Sequence, residues 1–256
     1  MATLLLRLAA PMQAWGMDSK FDTRQTSREP TKSAAIGLLA SALGITREDK
    51  AALERLNALQ FGVRCDQEGR LLRDFHIAKS YKSLDGYSKA DPHSVIDPYV
   101  TKRYYLSDAV FLTGFSSENT EYLQALANAL SSPAFPLFLG RRSCPPTLPL
   151  VLGIRSLPLK EALSQEPWQA SNFCQKQWKR KSLNAQQVVL RCLADADGSE
   201  SALGVQRDVP VSFDIRQREH TFRKVMQWYA KIPFNDVMAE NFSTEHDAMA
   251  EVISCT

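Results

Sequence analysis

The sequence is short of the features that mark membrane, metal and redox proteins. No run approaches the roughly 18 apolar residues that cross a bilayer; the apolar start at Leu4, Leu5 and Leu6 is broken by Arg7 and followed by Pro11. It has neither a basic leader nor a small-residue cleavage site, so we expect no signal peptide and a cytoplasmic protein. The five cysteines (Cys65, Cys144, Cys174, Cys192, Cys255) are scattered with no C-x-x-C pair, which points to reduced thiols. The four histidines (His76, His93, His220, His246) show no H-E-x-x-H or H-x-E spacing, so no metal or other cofactor is expected. There is no G-x-x-x-x-G-K-S/T, no G-x-G-x-x-G after a strand and no G-x-S-x-G. Nucleotide hydrolysis, dinucleotide binding and serine-hydrolase chemistry therefore have no motif here.

What remains is ordinary globular composition over 256 residues, 44% hydrophobic and 23% charged. The net charge of +3 hides an asymmetry. Between Arg141 and Arg191 nine basic residues face two acidic ones, whereas residues 235–256 hold five acidic residues and no Lys or Arg. A concentrated positive field suits phosphate polyanions, although a solvated basic face would read the same way.

Thr3–Ala9 has the length and apolarity of a buried strand. Thr31 or Ser33 can cap a helix carrying Ile36, Leu39 and Leu43, with Gly44 at the C-terminal capping position. Leu53, Leu56 and Leu59 suggest a second helix, Phe61–Cys65 a strand, and Leu71–Ala78 the return strand of a hairpin. Lys79–Lys102 is a polar excursion containing Gly86, Pro92 and Pro98. Tyr104–Phe115 alternates as one strand, Glu121–Leu130 has helical spacing, and Leu148–Ile154 is a further strand. This order is that of a βαββαβ ferredoxin-like unit with an insertion between its halves. Beyond Pro158 the pattern weakens, with strands at Gln187–Leu193 and Phe222–Val225 and a loose terminal helix; the boundary is placed near Pro158–Ser164.

Five places could carry chemistry. Arg24–Ser33 sets Arg24, Thr26, Arg28, Thr31, Lys32 and Ser33 before a helix N-terminus, where backbone N–H groups and the dipole favour an anion; capping in a solvated loop is the plainer alternative. Gly140–Pro146 presents Arg141 and Arg142 between a glycine and two prolines, suited to holding guanidinium forks toward phosphates or bases, or to pairing with surface carboxylates. Gln175–Lys181 flanks Trp178 with cations, as single-strand binders do, although a solvated loop is the commoner source of such a run. Lys102 and Arg103 beside Tyr104 and Tyr105 suit a cation-and-stacking platform, or a β-edge with half-buried tyrosines. Asp74, Phe75 and His76, with Tyr81 and Lys82, could make a metal-independent ribonuclease with His76 as base. No second histidine to act as acid is evident nearby, and on an alternating strand an ordinary packed or hydrogen-bonded histidine is the better reading.

Three blocks, Leu6–Gly16, Pro30–Gly44 and Leu139–Pro145, together resemble the CasD family, the Cas-five-type subunit of the type I-E CRISPR surveillance complex, Cascade. Phe61–Asp66 and Asp74–His76 add to the likeness, which covers roughly the first 155 residues well and the remainder loosely. It implies an α+β chain: a ferredoxin-like (RRM-like) RAMP core over 1–157 with a thumb hairpin inserted at about 79–102, then a small C-terminal β region and acidic tail over 158–256. It implies a subunit that holds the 5′ handle of CRISPR RNA (crRNA), caps one end of the backbone-subunit filament and joins it to the large PAM-recognising subunit. Target DNA is then met through the complex. Met12, Gln13, Trp15, Arg24, Thr26, Arg28, Thr31, Lys32, Ser33, Lys102, Arg103, Gly140, Arg141, Arg142 and Ser143 would serve the RNA. A related branch, type I-C, cuts precursor crRNA with tyrosine, lysine and histidine, which keeps the ribonuclease alternative open. The blocks here resemble the type I-E branch, so no catalysis is expected.

Overall fold

The computed structural model describes residues 1–16, 22–81, 95–182, 185–196, 204–214 and 216–234. The elements run β1 (Ala2–Ala9), β2 (Met12–Gln13), β3 (Thr23–Arg24), α1 (Lys32–Leu43), α2 (Lys50–Asn57), β4 (Gln60–Gln67), β5 (Arg70–Tyr81), β6 (Val95–Ser107), β7 (Val110–Ser117) and α3 (Thr120–Ser131). They continue with β8 (Val151–Arg155), α4 (Leu159–Gln165), α5 (Asn172–Lys181), β9 (Gln187–Asp195), β10 (Gly204–Ser212) and β11 (Glu219–Pro233). A seven-stranded sheet has the order β10-β11-β9-β4-β7-β1-β8. Every neighbouring pair in it is antiparallel.

β1 is central and apolar because both of its faces are covered. Leu4, Leu6 and Leu8 join a core with α1, α2 and α3 on one side. Leu5 joins Leu112 and the α4 residues Leu159, Ala162 and Leu163 on the other. α1 begins where the sequence indicates: Thr31 Oγ1 accepts from the Ala34 amide at 3.3 Å. It ends at Gly44, whose φ of 73° is the left-handed conformation that glycine adopts without penalty.

Two expectations are corrected. Tyr104–Phe115 is not one strand: Asp108 takes φ 55°, and the chain passes there from β6 to β7. Aspartate tolerates that conformation and alternation continues on either side, so the pattern hides the break. Leu71–Ala78 does not return along β4. β5 pairs with β6 instead, from Arg70 opposite Ser107 to Tyr81 opposite Val95, in a second sheet that also includes β2 and β3. Gly69, with φ 69°, makes the exit; a Cβ there would lie 2.6 Å from the Ser107 carbonyl oxygen. Residues 82–94, between β5 and β6 in sequence, and the acidic tail lie outside the described residues.

The C-terminal strands extend the same sheet, since β9 pairs with β4 and β11 with β9. The strand at Phe222–Val225 is part of the much longer β11, and α4, α5 and β10 were not legible in the sequence. Pro210 sits in β10, an edge strand, where a missing amide is tolerated.

A buried ion pair clips the α4–α5 connection to β4. Arg64 and Asp66, two apart on a strand and hence on one face, have fully buried side chains and meet at 2.7 Å and 2.8 Å. Arg64 also donates to the carbonyls of Leu163, Glu166 and Pro167. Asp66 accepts from the Gln169 amide, and its carbonyl accepts from Trp168 Nε1. Removing one partner strands a charge in the interior: Asp66→Ala should lose about 3–5 kcal/mol in urea unfolding. The Arg64→Met/Asp66→Leu double variant should recover only part of it, because three carbonyls still lose their donor.

Cys65, Cys144, Cys174 and Cys192 are free thiols, and Cys255 lies outside the described residues. Burial pushes the Cys65 and Cys192 thiols up to about 12, against an ordinary value of 9.0. A thiolate is the reactive form, so both should stay unmodified by a thiol reagent at pH 8 until urea unfolds the chain, as read by mass spectrometry. Unfolded thiols ionise near pH 9 while these two stay neutral to about 12, so their contribution to stability falls as pH rises through that window.

Candidate nucleic-acid interface

The three sequence blocks converge in space. Gly140 has φ 87°, and a Cβ there would lie 1.6 Å from the Ala14 carbonyl oxygen, so only glycine lets the 140–144 loop seat against the 12–16 segment. The seat is held by Ala14 N donating to the Leu139 carbonyl at 3.1 Å and Leu139 N to the Cys144 carbonyl at 2.7 Å. The 24–33 segment is tied in turn, with Trp15 N donating to Thr26 Oγ1 at 2.8 Å and Ser27 N to the Trp15 carbonyl at 2.6 Å. Arg141 then bridges: its guanidinium lies 4.5 Å from the Tyr105 ring centroid, and Nη2 donates to the Arg24 carbonyl at 2.9 Å. Arg141 Nη1 is buried and has no hydrogen-bond partner among the described residues.

Beside this junction runs an open groove of about 1260 Å³. Arg24, Arg47, Arg141, Arg142, Arg207 and Arg218 line it, with Asp49 and Asp208 the acidic residues among its walls. Asp208 is neutralised from behind, since Arg223 donates to its carboxylate at 2.6 and 2.9 Å. The groove is therefore strongly positive, and its concavity concentrates that field. Apolar faces from Phe135, Phe138 and Phe213 line it too.

The expected site residues divide by burial. Arg24, Arg28, Lys102, Arg142, Gly140 and Ser143 are exposed, while Met12, Thr26, Ser33, Arg103 and Arg141 are half-buried. Gln13, Trp15, Thr31 and Lys32 are buried. The Gln13 side chain donates to the carbonyls of Leu8 and Ala109. Trp15 packs edge-on against Phe111 with centroids 6.5 Å apart, which makes it a core residue rather than a base-stacking one. Lys32 Nζ contacts Asp195 at 2.7 Å and the Leu59 carbonyl at 3.0 Å, so its charge is spent inside the protein. The N-terminus of α1 already holds an anion of the protein's own: Asp208 Oδ2 accepts from the Lys32 amide at 2.8 Å. Ser33 Oγ, at 3.1 Å from His220 Nε2, faces the groove. Lys102 and Arg103 stand beside β3, opposite Thr23 and Arg24, outside the groove lining.

Sequence reasoning missed Arg47, Arg207, Arg218 and His220. They come from the α1–α2 connection (Arg47), from β10 (Arg207), from the β10–β11 connection (Arg218) and from β11 (His220), and no motif marks them. Trp178 is corrected as a stacking candidate: it faces inward, 5.7 Å from Trp168 and stacked at 5.9 Å on Phe234. His76 is exposed on β5, and its carbonyl accepts from Thr101 Oγ1. Its alternating strand favours an ordinary packed or hydrogen-bonded histidine; the side chain is exposed and not packed. Lys82 lies outside the described residues. Among the described residues no cluster of three His, Cys, Asp or Glu side chains could hold a metal ion.

This arrangement has relatives. A family model described as CRISPR-associated protein (Cas_Cas5) matches residues 3–226. The CRISPR system Cascade subunit CasD of Escherichia coli (strain K12) is 40% identical over 155 residues, 56% of this chain and 67% of that protein. A chain of a solved CRISPR RNA-guided surveillance complex superposes with a TM-score of 0.70 at 31% identity, covering 90% of this chain and 91% of that one. A crystal structure of a Cas protein superposes with a TM-score of 0.63 at 33% identity over 91% of this chain and 98% of that one. With a family model spanning most of its length, this chain belongs to the Cas5 family of CRISPR-associated proteins.

Proposed function

We propose that this chain is a subunit of a type I-E Cascade surveillance complex in antiviral defence, that it binds the 5′ handle of crRNA, and that it works without catalysis of its own. The observation that carries the reading is the groove where six arginines meet at the junction of the three resemblance blocks. Arginine forks position phosphates, and half-buried apolar faces in the same groove accept splayed bases. Arg141 Nη1 is a buried donor that a phosphate oxygen would satisfy. Within this reading the RNA contacts fall to Arg24, Thr26, Arg28, Ser33, Gly140, Arg141, Arg142 and Ser143, with Lys102 and Arg103 flanking. Met12, Gln13, Trp15, Thr31 and Lys32 shape the site from beneath.

The order β8-β1-β7-β4, with α1 after β1 and α3 after β7, supports a ferredoxin-like RAMP core over 1–157. The β5–β6 ladder fits the thumb, and 158–256 forms the C-terminal region. The partners are crRNA, the backbone subunits, the large subunit and, through the complex, target DNA. No described helix is long and apolar enough to cross a membrane, which accords with a cytoplasmic complex.

Absence of catalysis rests on His76. It stands exposed on β5, while His220 sits across the fold by Ser33. Incubating the chain with its repeat RNA in EDTA should leave the RNA intact; a product lost on His76→Ala would establish the ribonuclease instead. The binding role is tested by Arg141→Ala/Arg142→Ala. We expect at least about a ten-fold loss of handle-RNA affinity, a log–log salt slope smaller by about 1.4, and an unchanged circular dichroism spectrum. Unchanged affinity in the assembled complex would remove the groove from the RNA path.

A further inference from the structure

We propose that the outer face of α5 is a second docking surface, and that its occupant is single-stranded nucleic acid. The proposal stands apart from the groove, which is lined from the α1 face of the sheet. α5 lies on the other face. Val188, Leu190 and Cys192, which it covers together with Trp168, share strand parity with Ala194, and Ala194 packs under α4.

α5 is anchored from inside and, among the described residues, exposed outside. Ser171 caps it by accepting from the Cys174 amide at 3.3 Å. Gln175 Nε2 donates to the carbonyls of Trp168 and Ala170 at 3.3 and 2.8 Å, and Trp178 packs against Trp168 and Phe234. The opposite side carries Phe173, Lys176, Gln177 and Arg180, spaced i, i+3, i+4 and i+7 and therefore one stripe. Phe173 is 76% exposed. The helix holds no Asp or Glu, and no ion pair reaches Lys176, Arg180 or Lys181 among the described residues.

The composition of the stripe selects the occupant. The helix dipole accounts for cations in the last turn, but not for Lys176 or for a bare aromatic near the start. A helix that docks protein presents apolar anchors at i, i+3 or i+4 and i+7; here one apolar residue is followed by cations at those positions. An aromatic face with cations one and two turns further on offers a stack for a base and partners for the phosphates that follow, whatever the sequence of the strand.

The test uses the full chain and a fluorescein-labelled 30-nucleotide single-stranded DNA of mixed sequence, read by anisotropy across a salt series, in the parent and in the Arg141→Ala/Arg142→Ala background. Lys176→Glu/Arg180→Glu/Lys181→Glu should weaken binding at least ten-fold in both backgrounds and reduce the log–log salt slope by about two. Phe173→Ala should weaken it about ten-fold with the slope unchanged, as loss of a stack does. The four replaced α5 side chains are exposed, so Phe173→Ala should melt with its parent, while the triple Glu variant should melt only a few degrees lower because glutamates in the last turn oppose the helix dipole. Unchanged affinity for either variant in the groove-deficient background overturns the proposal. So does loss of a protein subunit from the assembled complex while nucleic-acid affinity persists, which would make the face a protein contact.

Discussion

Four charged side chains, Lys32, Asp195, Asp208 and Arg223, hold the two ends of the chain together. Lys32 Nζ meets Asp195 at 2.7 Å, and Arg223 grips both carboxylates at 2.6 Å. Asp208 caps the start of α1, while Asp195 accepts from the Phe61 amide at the start of β4. The Arg223 guanidinium lies 5.4 Å from the Phe61 ring centroid, so the network is shielded on its inner side. Two cations and two anions balance, and each carboxylate has several donors, which is the condition under which buried charge is tolerated. This knot, with the Ser33–His220 contact beside it, fixes β9, β10 and β11 against the first turn of α1.

The groove inherits its shape from that knot. One wall is the 140–144 loop seated on the 12–16 segment; the other carries Arg207, Arg218 and His220 from β10, β11 and their connection, which the network pins in place. Asp208, which would otherwise weaken the positive field, is turned inward and neutralised by Arg223. The arginines facing solvent are left to a ligand, and they act together because the sheet beneath them is continuous from β8 to β10.

Local signals were legible where one residue type dictates local geometry. Thr31 and Gly44 bounded α1, and Gly140 marked the loop that carries Arg141 and Arg142. The Asp108 break was hidden because a single residue in an unusual conformation leaves alternation intact on both sides. Lys32 read as a phosphate ligand because sequence shows a lysine at a helix start but not the distant Asp195 and Asp208 that claim it. Trp178 misled for a related reason: cations on neighbouring positions look like a solvated segment, whereas on a helix they point away from an inward-facing indole. Arg47, Arg207 and Arg218 became visible only once the sheet order was known.

β6 keeps one register with β5 from Tyr99, opposite Ala78, to Tyr105, opposite Leu72, and the Tyr105 ring lies under the Arg141 guanidinium. Six steps of extended strand span about 20 Å. This stretch of the ladder and the support of Arg141 are thus two ends of one stiff rod. A tilt imposed on the ladder by a neighbouring molecule would be delivered, without an intervening joint, to the side chain that supports Arg141.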